Sequence, residues 1–105
     1  MWTVEYLPAA LAERTGLPDD MLARLGRIIE VVESAGLIGL PRDWAKPLGD
    51  KLWELRVTGK DGIARAIYVT ASRQRVVIVR IFIKKSQKTP KRELDLARQR
   101  AKEVR

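Results

Sequence analysis

Between Leu52 and Ile83 three apolar segments, at residues 52–57, 63–70 and 76–83, follow one another with links too short to hold a helix. Strands joined so closely pair antiparallel, because a parallel crossover needs a dozen or more residues. The chain must therefore contain an antiparallel meander, turned first around Gly59-Lys60-Asp61-Gly62. In the third segment both parities are apolar: Val77, Val79, Ile81 and Ile83 on one, Val76, Ile78 and Phe82 on the other. That strand is expected at the centre of the sheet with both faces covered, and Arg80 is the polar residue that interrupts it.

The remaining segments must cover this sheet. Residues 2–6 alternate in a β-rich composition and predict an opening strand ended by Pro8, and residues 9–14 allow a turn or two of helix closed by Gly16. Asp19 is a suitable N-cap for a stronger helix, in which Leu22, Leu25, Ile29, Val32 and Ala35 recur at helical spacing up to Gly36. Residues 37–46 read as loop, with Pro41 and Pro47 opposing regular structure. Thr89 and Pro90 suit the cap and first turn of a last helix, whose Leu94, Ala97, Ala101 and Val104 form one stripe on an otherwise basic surface. No repeat or linker divides the 105 residues. Residues 1–105 are thus expected to form a single α+β domain in the order β-α-α-β-β-β-α: a small twisted, mainly antiparallel four-stranded sheet, two N-terminal helices and a basic C-terminal helix.

Charge divides the chain in two. Up to Asp50 there are 5 basic and 8 acidic residues, and after it 16 and 5, so the halves carry −3 and +11 within a net +8. A basic half of this kind suits a polyanion, since each Lys or Arg that meets a phosphate releases a condensed counterion. A solvated basic surface, or a patch that meets an acidic protein, has the same composition. The absence of cysteine and histidine excludes disulfides, thiolate nucleophiles, most zinc sites and imidazole acid-base pairs. No segment reaches the roughly 20 apolar residues of a membrane span, and the first residues do not resemble a signal peptide, so a cytoplasmic protein without membrane contact is expected.

Two features of the basic half could carry chemistry. Alternation along residues 52–57 places Glu54 and Arg56 on one face and Trp53, Leu55 and Val57 on the other. Such a pair can transfer a proton and clamp a phosphate, or can be an ordinary surface ion pair on a half-exposed strand. Arg65 stands in the apolar run Ala64-Arg65-Ala66-Ile67-Tyr68, where a carboxylate often satisfies an arginine. The second feature runs from Arg80 through Phe82, Lys84 and Lys85 to Lys88, Thr89 and Pro90, a strand that ends in clustered cations just before a helix. Crowded cations lower one another's pKa, a helix N-terminus adds backbone donors for an anion, and Phe82 offers a face for a splayed base. The plainer reading is a solvated loop.

Taken in order, Leu48-Gly49 leading into Leu52-Trp53-Glu54-Leu55-Arg56-Val57, then Arg65-Ala66-Ile67-Tyr68, Phe82-Ile83-Lys84-Lys85, Lys88-Thr89-Pro90, Glu93-Leu94 and Ala97-Arg98 resemble the RelE/HigB-type toxins. Within the RelE/ParE superfamily the resemblance is to the phage-derived Gp49-like, or HigB-like, branch. It covers the second half of the chain; the N-terminal strand and helices fit the layout without a motif of their own. It implies a RelE-like fold and the toxin of a type II toxin-antitoxin system, a ribosome-dependent mRNA endoribonuclease that needs no metal or cofactor and inhibits translation. The implied partners are mRNA on the ribosome, rRNA and a cognate antitoxin of helix-turn-helix type. The catalytic candidates are Glu54, Arg56, Arg65, Lys84 and Lys85, and the RNA-binding candidates are Arg80, Phe82, Lys88, Lys91 and Arg92. Members close to RelE carry a lysine where this sequence has Glu54, whereas HigB-like members commonly have glutamate there.

Cleavage by a 2′-hydroxyl needs a base, charge neutralisation at the phosphorane and an acid for the 5′-oxygen. Arginine does not deprotonate in proteins, so Arg56 and Arg65 can only position and neutralise. The base is then Glu54 or a lysine of lowered pKa; Tyr68, on the side opposite Arg65, is expected to be core or rim. So few groups would make a poor nuclease on free RNA, which suits the dependence on a ribosome that the resemblance implies. A non-catalytic RNA- or ribosome-binding module fits the same residues. A ParE-like gyrase-inhibiting toxin would share the fold, but Arg56, Arg65, Lys84 and Lys85 argue against it. No helix-turn-helix pattern supports a DNA-binding repressor.

Overall fold

In the computed structural model, which describes residues 1–84 and 88–105, the chain begins with β1 (Thr3–Tyr6), α1 (Pro8–Arg14) and α2 (Asp19–Ala35). Two short 3-10 turns, Leu37–Gly39 and Arg42–Trp44, lead to β2 (Ala45–Gly49), β3 (Leu52–Gly59), β4 (Gly62–Ala71), β5 (Arg75–Lys84) and α3 (Lys91–Ala101). The sheet order is β1-β5-β4-β3-β2, with β1 parallel to β5 and every other pair antiparallel. The α+β class and the meander match the sequence reading, and β5 lies inside the sheet as its two apolar parities require.

The fifth strand is a correction. Pro41 and Pro47 suggest loop over residues 37–46, yet β2 pairs with β3 through Pro47. Proline is tolerated on an edge strand, where only one side of the backbone enters the ladder, and a register shift between Pro47 and Gly49 absorbs the irregularity. Asp50 and Lys51, at φ 53° and 67°, then close the two-residue hairpin with the left-handed pair that matches strand twist.

Helices cover both faces. On one, Met21, Leu25, Ile28 and Val32 of α2 and Ala10 of α1 pack on Leu55, Val57, Ala66 and Ile78. Each large side chain buried in this way stabilises the fold by about 1.5–3 kcal/mol. The buried stripe of α2 is displaced in part from the expected one: Met21 and Ile28 join Leu25 and Val32 as its buried residues, Leu22 and Ile29 are partly buried, and Ala35 is exposed. Nor does Asp19 cap the helix. Pro18 holds that position, while Asp20 Oδ2 accepts the Lys60 N–H at 2.7 Å and ties the start of α2 to the β3–β4 turn. Gly36 ends α2 at φ 76°, and a Cβ there would meet the Trp2 ring at 3.1 Å. On the other face Ala97 of α3 packs on Leu52, Ile67, Val77 and Val79, with Ala101 and Val104 at the border.

A bulge in β5 decides which side chains share a face. Ile67 pairs with Arg80 but Tyr68 pairs with Ile78, which leaves Val79 as the extra residue. Side-chain parity reverses there. Val76, Ile78 and Ile81 therefore enter the α1/α2 core, whereas Val77, Val79 and Phe82 lie on the α3 side. Strict alternation groups Ile81 with Val77 and Val79, and Phe82 with Val76 and Ile78; the bulge overturns both groupings. Among the described residues no helix is long and apolar enough to cross a membrane.

Candidate functional site

Directly opposed residues of an antiparallel sheet share a face. On the α3 side, Lys46, Glu54, Ile67 and Arg80 form one row across β2 to β5; Arg56, Arg65 and Phe82 form the next; Ile63 and Lys84 a third. Without the bulge Lys84 would project to the opposite face. With it, the carboxylate of β3, the guanidinium of β4 and the amine of β5 converge.

They converge below the surface. Glu54 is 0 % exposed, Arg65 2 %, Lys84 6 % and Thr89 8 %. Arg65 Nη1 stands 3.4 Å from Glu54 Oε1, the Thr89 hydroxyl donates to Glu54 Oε2, and Lys84 Nζ donates to Thr89 Oγ1 at 3.3 Å. The sequence suggests a surface pair of Glu54 with Arg56; the carboxylate instead pairs with Arg65 and is buried. A buried carboxylate must be compensated in this manner, because an isolated charge in the interior is costly. Arg56 is half-buried, and its guanidinium makes no ion pair or hydrogen bond among the described residues.

The cluster changes the acid-base character of its members. Burial pushes Lys84 below the ordinary lysine range, Arg65 pushes it further, Glu54 pulls the other way, and Lys46 and Arg56 add to the fall. Arg65 is lowered by burial, with Glu54 opposing and Arg56 reinforcing, yet a guanidinium remains charged. The arrangement thus offers an amine that gives up its proton more readily than an ordinary lysine, beside two fixed positive charges.

The other candidates fall into three places. Arg80 is committed to the scaffold: Nε and Nη2 donate to Glu93 at 2.7 and 3.1 Å, and Nη1 donates to Glu13. Glu13 also accepts from both terminal nitrogens of Arg100 at 2.9 Å and from the Ile81 N–H at 3.1 Å, so one network joins α1, β5 and α3. Phe82 borders the α3-side core with the Arg80 guanidinium 5.6 Å above its ring, which occupies a surface on which a base was expected to stack. Lys88, Lys91 and Arg92 are exposed, Lys91 lying 3.4 Å from Asp95. Lys85 lies outside the described residues.

Sequence reasoning misses Thr89 and Lys46. Thr89 reads as a helix cap, but Pro90 takes that position and leaves the hydroxyl to the cluster. Lys46 falls in the strand that Pro47 disguises. Tyr68 is on the α1/α2 side, stacked with Trp53 at 6.5 Å between ring centroids, and burial pushes its hydroxyl up to about 12. Near it an apolar cleft of 560 Å³ opens between residues 37–42 and the sheet, lined by Leu37, Ile38, Trp53 and Tyr68 among others. Its lining offers no titratable cluster; the charged candidates gather on the opposite face of the sheet.

Known proteins give a consistent result. Residues 13–102 match the family model described as phage derived protein Gp49-like. Among solved structures, the intact E. coli RelBE toxin-antitoxin complex contains a chain that superposes with a TM-score of 0.57 at 16% identity, covering 82% of this chain and 100% of that one. The isolated E. coli RelE toxin superposes with a TM-score of 0.54 at 14% identity, covering 94% and 99%. A search of curated proteins returns no match. The structural likeness speaks for the fold, and the family model spans most of the chain. The chain therefore belongs to the phage-derived Gp49-like family, and its α+β fold is RelE-like.

Proposed function

We propose that this protein is the toxin of a toxin-antitoxin pair and that it cuts mRNA on the ribosome. The observation that carries the reading is Lys84, buried beside Arg65 and one row from Arg56, with its pKa below the ordinary lysine value. Family membership and the RelE-like fold support the toxin assignment, and the +11 charge of the second half supports RNA as the target. One neighbour is a toxin-antitoxin complex; the partner proposed for this chain is likewise an antitoxin, of helix-turn-helix type by family resemblance.

In this mechanism Arg56 meets the scissile phosphate and Arg65 contributes fixed charge beneath it. Lys84 accepts the 2′-hydroxyl proton, and the 5′-oxygen leaves with a proton taken from water. Glu54 is a positioning residue, since its carboxylate already receives Thr89 and pairs with Arg65. Lys88, Lys91 and Arg92 add salt-sensitive contacts to mRNA or rRNA backbone. The ribosome supplies the bent substrate that so sparse a site cannot impose.

Burial of Arg65, Glu54 and Lys84 favours one rival, a non-catalytic ribosome-binding module, because the three groups are almost wholly withdrawn from solvent. A reconstituted translation reaction separates the two. Primer extension should reveal cuts only on translated message, lost in Arg56→Ala and in Lys84→Met. Intact message with ribosome binding retained would establish the binder, and intact message without ribosome binding would remove both readings.

A further inference from the structure

The proton arithmetic of Thr89 carries an assignment beyond the candidate set. A threonine hydroxyl has one proton to donate and lone pairs to accept with. Glu54 Oε2, a carboxylate oxygen, can only accept, so the Thr89 proton points to it. The Lys84 contact then has one polarity: Nζ donates and Thr89 Oγ1 accepts, at 3.3 Å. Thr89 cannot return a proton to Lys84. When Lys84 is neutral, one N–H is anchored on Thr89 and the nitrogen lone pair is directed elsewhere.

We propose that Thr89 is a positioning residue for Lys84, its hydroxyl polarised by Glu54 so that the amine is held by an N–H with its lone pair left for an incoming proton. The effect on Lys84 follows from the structure alone; its place in RNA cleavage rests on the nuclease reading above. The burial of Glu54, Lys84 and Thr89 keeps water from competing for these contacts and gives the relay its direction. Among the described residues the charged groups that act on Lys84 are Glu54 and Arg56 from β3, Arg65 from β4 and Lys46 from β2; substitution at Thr89 leaves the three cations in place and removes the hydroxyl bond to Glu54.

The test follows the Lys84 ε-methylene signals of the full chain by NMR from pH 7 to 11, assigned with Lys84→Arg, in wild type, Thr89→Ser and Thr89→Val. Removing the acceptor deprives the ammonium of a hydrogen bond, so Thr89→Val should titrate lower by about half to one pH unit, the equivalent of one ordinary hydrogen bond. Thr89→Ser restores the hydroxyl and should titrate with wild type. On ribosomes the alkaline-rising limb of the cleavage rate should move with the NMR titration. Thermal unfolding identifies any variant that fails to fold, and Thr89→Ser then decides by comparison with wild type. An unchanged or raised titration in Thr89→Val, or a Thr89→Ser that differs from wild type, would overturn the assignment. A wild type that cuts nothing while the titration difference persists would remove the nuclease reading and leave the Thr89–Lys84 coupling standing.

Discussion

Glu13→Gln tests how the helices are fastened to the sheet. Glu13 receives Arg100 twice at 2.9 Å, the Ile81 N–H at 3.1 Å and Arg80, and the side chains of Glu13, Arg80 and Arg100 are only 19, 20 and 16% exposed. An exposed pair would contribute about 0–1 kcal/mol, whereas breaking a fully buried one costs about 3–5. Glutamine keeps one accepting oxygen but leaves Arg100 without its counter-charge, while Arg80 retains Glu93, which places the cost at about 2–3 kcal/mol, between those limits. For a domain of this size each kcal/mol lowers Tm by about 4 °C, so thermal unfolding followed by circular dichroism at neutral pH should move down by about 8–12 °C. Glu5→Gln is the control, because Glu5 pairs with Arg75 at 3.3 Å but is 47% exposed, and it should move Tm by less than about 4 °C. Equal shifts in the two variants would refute the claim that burial separates the Glu13 network from a surface ion pair.

Other consequences can be checked with the same protein. Glu13 is held below the ordinary carboxylate value of 4.5 because its Arg100, Ile81 and Arg80 bonds outweigh the opposing effect of burial. The stability it contributes is therefore complete above pH 4.5 and is lost as pH falls through its lowered folded value, so the Tm gap between wild type and Glu13→Gln should be constant near neutrality and close in acid. Ile28→Ala removes a side chain that is 0% exposed and should cost about 2–5 kcal/mol in urea unfolding. Arg56→Ala should leave Tm within about 2 °C of wild type yet reduce the salt slope of RNA or ribosome binding by about 1, as loss of one phosphate contact requires. Tyr68→Phe should leave any mRNA cleavage unchanged, because that hydroxyl lies on the opposite side of the sheet.

The meander was legible because link length alone restricts strand pairing, and α2 because its apolar spacing is strong. β2 was hidden by Pro47, which marks a breaker in a central strand but not at an edge. The bulge at Val79 left no trace for a physical reason: β5 is apolar on both parities, so alternation carries no register information there. That one hidden residue determines the face of Arg80, Phe82 and Lys84. Glu54 and Arg56 were visible as companions on a common face, yet the partner of Glu54 is Arg65, chosen by the register between β3 and β4. Arg80 looked like an RNA contact because it interrupts an apolar run; Glu13 and Glu93, which claim it, lie 67 and 13 positions away and cannot be paired with it by local pattern. Thr89 carried two meanings at once, cap and cluster member, and only the position of Pro90 separates them.

The parallel pairing of β1 with β5 has a kinetic consequence. Thr3 meets Arg75 and Tyr6 meets Ile78, so the first strand made has no sheet neighbour until the fifth has been synthesised. Contacts between such distant positions close a long loop before they gain anything, which slows folding. Until then α1 lacks the strand on which it packs. During synthesis the nascent chain therefore passes through an interval in which Arg56 and Arg65 already exist but the sheet that aligns them with Lys84 does not. The charged cluster is thus completed only once β5 has been made.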